Sequence, residues 1–306
     1  METINYNGRT IRMIPAAAVE DAVAELFVKA NYTLTKDVTD CIAAACGRER
    51  CPLAKRVLDR LLDNVAAARE MDVPVCQDTG MAVVFLYIGE DAHIVGNVAD
   101  AVNRGVRRAY VDGALRLSVV EDPLYARKNT GDNTPAVLHI RAVPGDRVRI
   151  VALPKGFGSE NKSALRMFTP AAAEDDIVRF VVETVERAGA DPCPPISVGV
   201  GIGSDFEGCA ALAKECFVRR AGEHNPDARY AALEARLLDA INATGIGPQG
   251  FSGDTTALSV AVAAAPTHIA GLPVAVNINC WPGRKATCRI YTDGRVEQII
   301  GGASHA

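Results

Sequence analysis

The clearest strand in the sequence is Val83-Val84-Phe85-Leu86-Tyr87-Ile88. A short apolar run bounded by turn-forming residues is typical of a strand that is buried on both faces. Similar runs predict further strands over 136–140, 147–153, 196–201 and 273–278. The chain is therefore expected to build its core on one or more sheets.

Apolar residues spaced three and four apart predict helices between these strands. The predicted helices cover 15–27, 37–48, 53–69, 97–111, 171–188, 207–219 and 227–242. The first three make residues 15–70 a helical N-terminal portion. We expect an α/β (or α+β) fold with helices packed around short mixed sheets. Because no repeat or low-complexity linker divides the sequence, we expect a single large domain over residues 1–306.

Composition excludes several classes of protein. The chain has 306 residues, 49% of them hydrophobic and 23% charged, and a formal net charge of −4. This mild acidic balance provides no electrostatic footprint for nucleic acid or for an anionic membrane. No apolar run approaches the roughly 20 residues that span a bilayer, and no signal peptide is evident. We expect a cytoplasmic protein.

Nine cysteines are the most unusual feature. An odd number in a long chain argues against a disulfide framework. In a reducing compartment, cysteines either pack as small apolar residues or act as ligands and nucleophiles. The sequence alone does not divide the nine between these roles.

Three of the cysteines lie in loops rich in glycine, proline and small polar residues. These loops are residues 74–80 with Cys76, 191–195 with Cys193, and 277–285 with Cys280. The spacing resembles neither the compact ligand run of a ferredoxin nor the paired cysteines of a zinc ribbon. Each cysteine also has a purely structural interpretation, so spacing does not establish a cluster site.

Two glycine-rich segments differ from the nucleotide-binding loops of other proteins. Residues 155–163 lack the Gly-Lys-Ser/Thr ending of a P-loop, and residues 198–203 lack the spacing of a dinucleotide-binding fingerprint. We interpret both as segments in which glycine lets the backbone come close to neighbouring groups around a site.

Five motifs together resemble the class I, iron–sulfur-dependent fumarate hydratases, and they occur in the order found in that family. L-tartrate dehydratase α subunits resemble the chain most. The motifs are Cys76-Gln77-Asp78-Thr79-Gly80, Lys128-Asn129-Thr130-Gly131-Asp132-Asn133-Thr134-Pro135, Gly158-Ser159-Glu160-Asn161-Lys162-Ser163, Cys193-Pro194-Pro195 with the 198–203 segment, and Gly247-Pro248-Gln249-Gly250.

This resemblance implies a [4Fe–4S] cluster and a set of site residues. The implied cluster ligands are Cys76, Cys193 and Cys280, which leaves the other six cysteines to pack in the core. The implied substrate-binding residues are Gln77, Asp78, Arg116 and Gly158. The implied catalytic residues are Asp78, as base or as a group that tunes the base, and His268.

Each polar candidate also has a structural alternative. Asp78 suits a turn in which its side chain bonds its own backbone. Arg116 suits a solvated helix face, although its fork geometry can also grip a carboxylate. His268 could instead be a structural side chain at a loop edge with its hydrogen bonds satisfied.

The sequence departs from the family pattern at one place. The family usually has a small residue and paired basic residues after Cys280-Trp281, whereas this sequence has Pro282-Gly283-Arg284-Lys285.

The resemblance implies a hydro-lyase that interconverts (S)-malate and fumarate, and the segment Gly158–Ser163 looks more like the fumarate hydratase branch. A separate β subunit is expected to supply further cationic residues, so the chain alone is expected to be inactive. One alternative is L-tartrate or another hydroxy dicarboxylate as substrate. A distant alternative is a non-catalytic nucleotide-binding α/β protein.

Overall fold

The computed structural model describes residues 3–291 and 295–299, and helices and strands alternate along most of them. The helices are α1 (Ala16–Tyr32), α2 (Lys36–Arg48), α3 (Pro52–Met71), α4 (Val98–Asp112), α5 (Phe157–Glu160), α6 (Glu174–Ala188), α7 (Phe206–Glu215) and α8 (Ala228–Asn242). The strands are β1 (Thr3–Tyr6), β2 (Arg9–Pro15), β3 (Met81–Gly89), β4 (Ala92–Val95), β5 (Val137–Val143), β6 (Val148–Lys155), β7 (Ala164–Phe168), β8 (Ile196–Ser204), β9 (Ala257–Thr267), β10 (Leu272–Asn279), β11 (Ala286–Ile290) and β12 (Val296–Ile299).

The described residues group into two compact units. Unit 1 contains residues 3–35, 68–155, 284–291 and 295–299, and unit 2 contains residues 36–67 and 156–283. The chain passes repeatedly from one unit to the other, so neither unit is a continuous stretch of sequence. The single domain expected over 1–306 stays a prediction.

Unit 1 is built on a sheet with the strand order β12-β11-β6-β3-β5. Only the β3–β5 pair in this sheet is parallel. A small sheet, β1-β2-β4, accompanies it. Helices α1 and α4 pack together, and the rings of Phe27 and Tyr110 meet between them with centroids 6.0 Å apart. The predicted strand at 83–88 is buried at the centre of this unit.

Unit 2 is built on a sheet with the order β7-β10-β8-β9, in which β8 and β9 run parallel. Along β8, Val198 and Val200 join the core formed with α6 and α8. Gly199 and Gly201 face α7, where a Cβ would lie only 2.0 Å from the Ala213 carbonyl oxygen and 2.1 Å from that of Cys209. These glycines therefore allow a helix to approach a strand closely, and they belong to a strand rather than to a site loop.

The predicted fold class is confirmed, because helices accompany sheets that each mix parallel and antiparallel pairs. The predicted helix at 207–219 ends at Glu215, where the 3-10 turn Cys216–Val218 follows. The predicted helix at 171–188 begins at Glu174. Among the described helices, none is long and apolar enough to cross a membrane.

Candidate functional site

The first candidate loop, Cys76–Gly80, lies in unit 1 between α3 and β3. The Val75 amide donates to the Asn31 carbonyl oxygen at 2.9 Å, which fixes the start of the loop. Cys76 is half-buried, and its Sγ lies 3.4 Å from Gln77 Oε1. Gln77 is exposed, and Asp78 is half-buried. The loop thus presents a thiol, an amide and a carboxylate in sequence.

Asp78 makes the local turn that its sequence context suggests. Its Oδ1 accepts a hydrogen bond from the Gly80 amide at 3.0 Å. Gly80 has φ of +77°, and a Cβ there would lie 2.8 Å from the Lys155 backbone. The turn therefore requires glycine, and its hydrogen bond orients the Asp78 carboxylate.

Buried side chains hold the far end of this loop. The Tyr110 hydroxyl lies 2.9 Å from the carbonyl oxygens of both Thr79 and Gly80, and Asn133 Nδ2 donates to the Gly80 oxygen at 3.2 Å. Burial raises the pKa of Tyr110 well above its ordinary value, so the hydroxyl keeps its proton as a donor. The role of Tyr110 could not be predicted from the sequence, because its spacing on α4 indicates only core packing.

Arg116 is held against the same loop through its backbone. Its amide donates to Thr79 Oγ1 at 2.9 Å, and that hydroxyl lies 3.3 Å from the Arg116 carbonyl oxygen. Asn133 Oδ1 accepts from the Ser118 amide at 2.7 Å. Arg116 is exposed in an extended segment after α4, not on a helix face. The structure therefore brings the segments of Gln77, Asp78 and Arg116 together.

The basic residues that depart from the family pattern lie in the core of unit 1. Arg284 and Lys285 are 2% and 5% exposed. Arg284 Nη1 donates to Asn31 Oδ1 at 2.8 Å. Since the Asn31 carbonyl also accepts from Val75, Arg284 supports the beginning of the Cys76 loop. Neither Arg284 nor Asn31 was a site candidate in the sequence.

Cys193 and Cys280 lie on adjoining loops of unit 2. The Trp281 amide donates to the Cys193 carbonyl oxygen at 3.3 Å, and the Gly283 amide donates to that of Cys280 at 3.0 Å. Cys193 is exposed, and Cys280 is half-buried. Two of the three candidate ligands are thus brought together within one unit.

Gln249 holds the Cys193 loop from a second direction. Its backbone amide and its Nε2 donate to the Pro194 carbonyl oxygen at 2.7 and 2.6 Å. Cys193 and Gln249 have φ of +54° and +53°, a conformation that is unfavourable for residues with a side chain. The Gly247–Gly250 motif therefore acts as a support for the cysteine loop.

The candidate Gly158 lies in α5 of unit 2 and is exposed. A Cβ there would lie 3.4 Å from the Asp191 carbonyl oxygen, two residues before Cys193. Residues 157–160 of the predicted glycine-rich loop therefore form a short helix against the cysteine loop.

His268 lies at the opposite end of β10 from Cys280. It is exposed in the turn between β9 and β10, and its Nδ1 accepts from the Ala270 amide at 3.1 Å. Cys280 follows the other end of β10, whose eight residues span roughly 26 Å at about 3.3 Å per residue. The structure does not bring His268 and Cys280 together.

The six remaining cysteines divide into two groups. Cys46, Cys209, Cys216 and Cys288 are buried, as expected for core packing. Burial raises the pKa of Cys216 and of Cys288 to about 12, so both remain neutral thiols. Cys41 and Cys51 are only half-buried, which differs from the expectation.

Neither unit contains, among its described residues, three or more His, Cys, Asp or Glu side chains grouped to hold a metal ion. Cys76 belongs to unit 1, whereas Cys193 and Cys280 belong to unit 2. The set of three thiol ligands therefore stays a prediction.

Comparison with known proteins identifies the family. The family model "Fumarate hydratase (Fumerase)" matches residues 20–289. A protein of Methanocaldococcus jannaschii named "Putative L(+)-tartrate dehydratase subunit alpha" is 39% identical over 284 residues, which is 91% of this chain and 99% of that protein. The L(+)-tartrate dehydratase subunit alpha of Escherichia coli strain UTI89 is 30% identical over 281 residues, 91% of this chain and 93% of that protein. The chain therefore belongs to the fumarate hydratase (fumerase) family of hydro-lyases.

Proposed function

We propose that this chain is the cluster-bearing subunit of a hydro-lyase acting on a hydroxy dicarboxylate. Its ligands for a [4Fe–4S] cluster are Cys76, Cys193 and Cys280. The hydrogen bond between Trp281 and Cys193 supports this most strongly, because it joins two of the three thiol-bearing loops.

The chemistry of the donors fits such a cluster. Cysteine thiolates are the usual ligands of iron–sulfur clusters. The three proposed ligands are exposed or half-buried, whereas four of the other six cysteines are buried. Held by Cys76, Cys193 and Cys280, such a cluster would supply Lewis-acid chemistry toward the departing hydroxyl of the substrate.

The chain's own residues would bind the substrate and move its proton. Dehydration removes a proton from the carbon next to the one that loses hydroxide, and a positioned carboxylate can accept that proton. Asp78 is our candidate, because the Gly80 amide orients its carboxylate. The exposed guanidinium of Arg116 can bind a substrate carboxylate in a bidentate manner. Gln77 and Gly158 are further candidates for substrate contact.

The proposed function does not depend on His268, which the resemblance implied to be a catalytic residue. Because β10 separates His268 from Cys280, a catalytic role of His268 beside that cysteine stays a prediction. A partner β subunit is supported by the relatives, which are named as α subunits.

Two substrates remain as candidates. The segment Gly158–Ser163 favours (S)-malate and fumarate, which is our first choice. The names of the relatives favour L(+)-tartrate, which carries one more hydroxyl than malate. A site that hydrogen-bonds a hydroxyl discriminates strongly against a substrate without it, so one substrate is expected to dominate.

The test is an anaerobic assay of the chain reconstituted with iron and sulfide, with and without a co-expressed β-type subunit. We expect turnover of (S)-malate only when both subunits are present. Preference for L(+)-tartrate would select the second candidate. Failure of the reconstituted pair to dehydrate any member of a hydroxy-dicarboxylate panel would overturn the proposed function.

A further inference from the structure

The segment Gly158–Ser163 makes polar contacts to the two regions of unit 2 that carry Cys193 and Cys280. The first contacts reach β10, which leads directly into Cys280. Glu160 Oε2 accepts from Asn277 Nδ2 at 3.0 Å, and Ser163 Oγ accepts from the Ile278 amide at 3.2 Å. Both contacts lie within three residues of Cys280.

A second contact reaches the loop that carries Cys193. Lys162 Nζ lies 2.5 Å from Asp191 Oδ2, two residues before Cys193. These side chains are 31% and 66% exposed, so the ion pair adds little to global stability. Its effect is expected to be local.

Glu160 is itself held in place by α7. The Lys214 ammonium bonds Glu160 Oε1, and these side chains are only 17% and 21% exposed. Hydrogen bonds to a carboxylate from a charged donor are among the stronger ones in proteins. The Glu160 carboxylate therefore joins Lys214 of α7 to Asn277 of β10.

We propose that Glu160, Lys162 and Ser163 are positioning residues that fix the Cys193 and Cys280 loops before a cluster binds. This inference rests on the proposed function for its purpose. In this inference, the three side chains hold the cysteine loops in place and do not bind the substrate. We name these three residues the bracket.

The experiment compares the wild-type full chain with the variant Glu160→Gln/Lys162→Met/Ser163→Ala. The control is Glu174→Gln/Arg236→Met, which removes the exposed ion pairs of Arg236 with Glu174 and Asp175 in the same unit. Hydrogen–deuterium exchange is measured on the cluster-free chains, in peptides covering 191–196 and 278–283. Loss of the reconstituted cluster to a chelator is measured separately by its visible absorption.

We expect faster exchange of both peptides in the bracket variant and unchanged exchange in the control. Cluster loss is expected to accelerate by about 10-fold to 100-fold, as is typical when groups that support metal ligands are removed. If the triple variant does not fold, Ser163→Ala alone is expected to accelerate exchange in 278–283.

The proposed positioning role would be overturned if exchange is unchanged in both peptides. It would also be overturned if the control variant accelerates their exchange equally. A wild-type chain that binds no iron would instead overturn the proposed function. The exchange measurement needs no cluster, so the two failures are distinguishable.

Discussion

The Cys76 loop of unit 1 and the cysteine loops of unit 2 are held in different ways. Buried side chains, Tyr110 and Asn133, bond the carbonyl oxygens at the end of the Cys76 loop. In unit 2, backbone amides of Trp281 and Gln249 bond the carbonyl oxygens of Cys193 and Pro194, and the side chains that add to these bonds, those of Gln249 and the bracket, are only half-buried. Support by side chains depends on residue identity at distant positions, whereas support by backbone amides survives most substitutions. The Cys76 loop is therefore expected to be the more sensitive to mutation.

The largest effect is expected from Asn133→Ala. Asn133 is fully buried, has φ of +61°, and bonds both Ser118 and Gly80. The substitution leaves the Ser118 amide without this acceptor and places alanine in a left-handed conformation, so unfolding free energy should fall by about 4 kcal/mol. Denaturant titration measures the change.

A matched control separates the two causes. Asn7 also has positive φ, +48°, but lies exposed. Asn7→Ala should cost about 1 kcal/mol, from the backbone alone. Equal losses at the two positions would show that the buried hydrogen bonds of Asn133 contribute nothing.

The second largest effect is expected in the dependence of the unfolding free energy on pH. It compares one buried thiol in each unit. The pKa of Cys288 in unit 1 and of Cys216 in unit 2 is raised to about 12 by burial, from an ordinary value of 9.0. Above pH 9 the unfolded chain loses these protons while the folded chain keeps them, so stability falls as pH rises from 9 toward 12. At pH 10 the loss is roughly 1 kcal/mol for each thiol.

Stability measured between pH 8 and about 10.5 checks this expectation. Cys288→Ala and Cys216→Ala should each reduce the slope. A slope that is unaffected by both substitutions would show that neither thiol is held neutral by the fold.

A smaller effect is expected from Tyr110→Phe. The substitution removes the hydroxyl that bonds the Thr79 and Gly80 carbonyl oxygens but keeps the ring in the core. We expect a loss of about 1–2 kcal/mol and faster amide exchange in residues 76–80. Tyr125→Phe is the control, because Tyr125 is 85% exposed. Slow exchange retained in the Tyr110 variant would contradict the proposed support.

The smallest effect is expected from Gln249→Ala. It removes the Nε2 bond to Pro194 but keeps the backbone bond at 2.7 Å. The loss should be only about 0.5–1 kcal/mol. A loss greater than that of Tyr110→Phe would reverse the comparison between the two regions.

Much of the fold could be predicted from sequence because its elements have strong periodicity. The buried runs of β3, β6, β8 and β10 and the amphipathic helices all appear near their predicted positions. β9 was missed because Ala257–Thr267 is rich in alanine, which has no marked preference for strands. The segments that form each unit could not be predicted, because segments that are distant in sequence combine in it.

The site was only partly predictable for a similar reason. Motifs identified the loops themselves, and local chemistry predicted the Asp78 turn. The supports come from elsewhere in the chain: Asn31 on α1, Tyr110 on α4 and Arg284 before β11. Each resembles an ordinary core or surface residue in sequence, and only the packing of the unit shows what it bonds.

The most direct test of the central claim is the iron and sulfide content of the anaerobically reconstituted chain and its single cysteine variants. We expect four irons and four sulfides per wild-type chain, as a [4Fe–4S] cluster requires. Cys76→Ser, Cys193→Ser and Cys280→Ser should each lose the cluster, whereas Cys41→Ser, at another half-buried cysteine, should retain it. Full iron content in any of the first three variants would contradict the proposed ligand set.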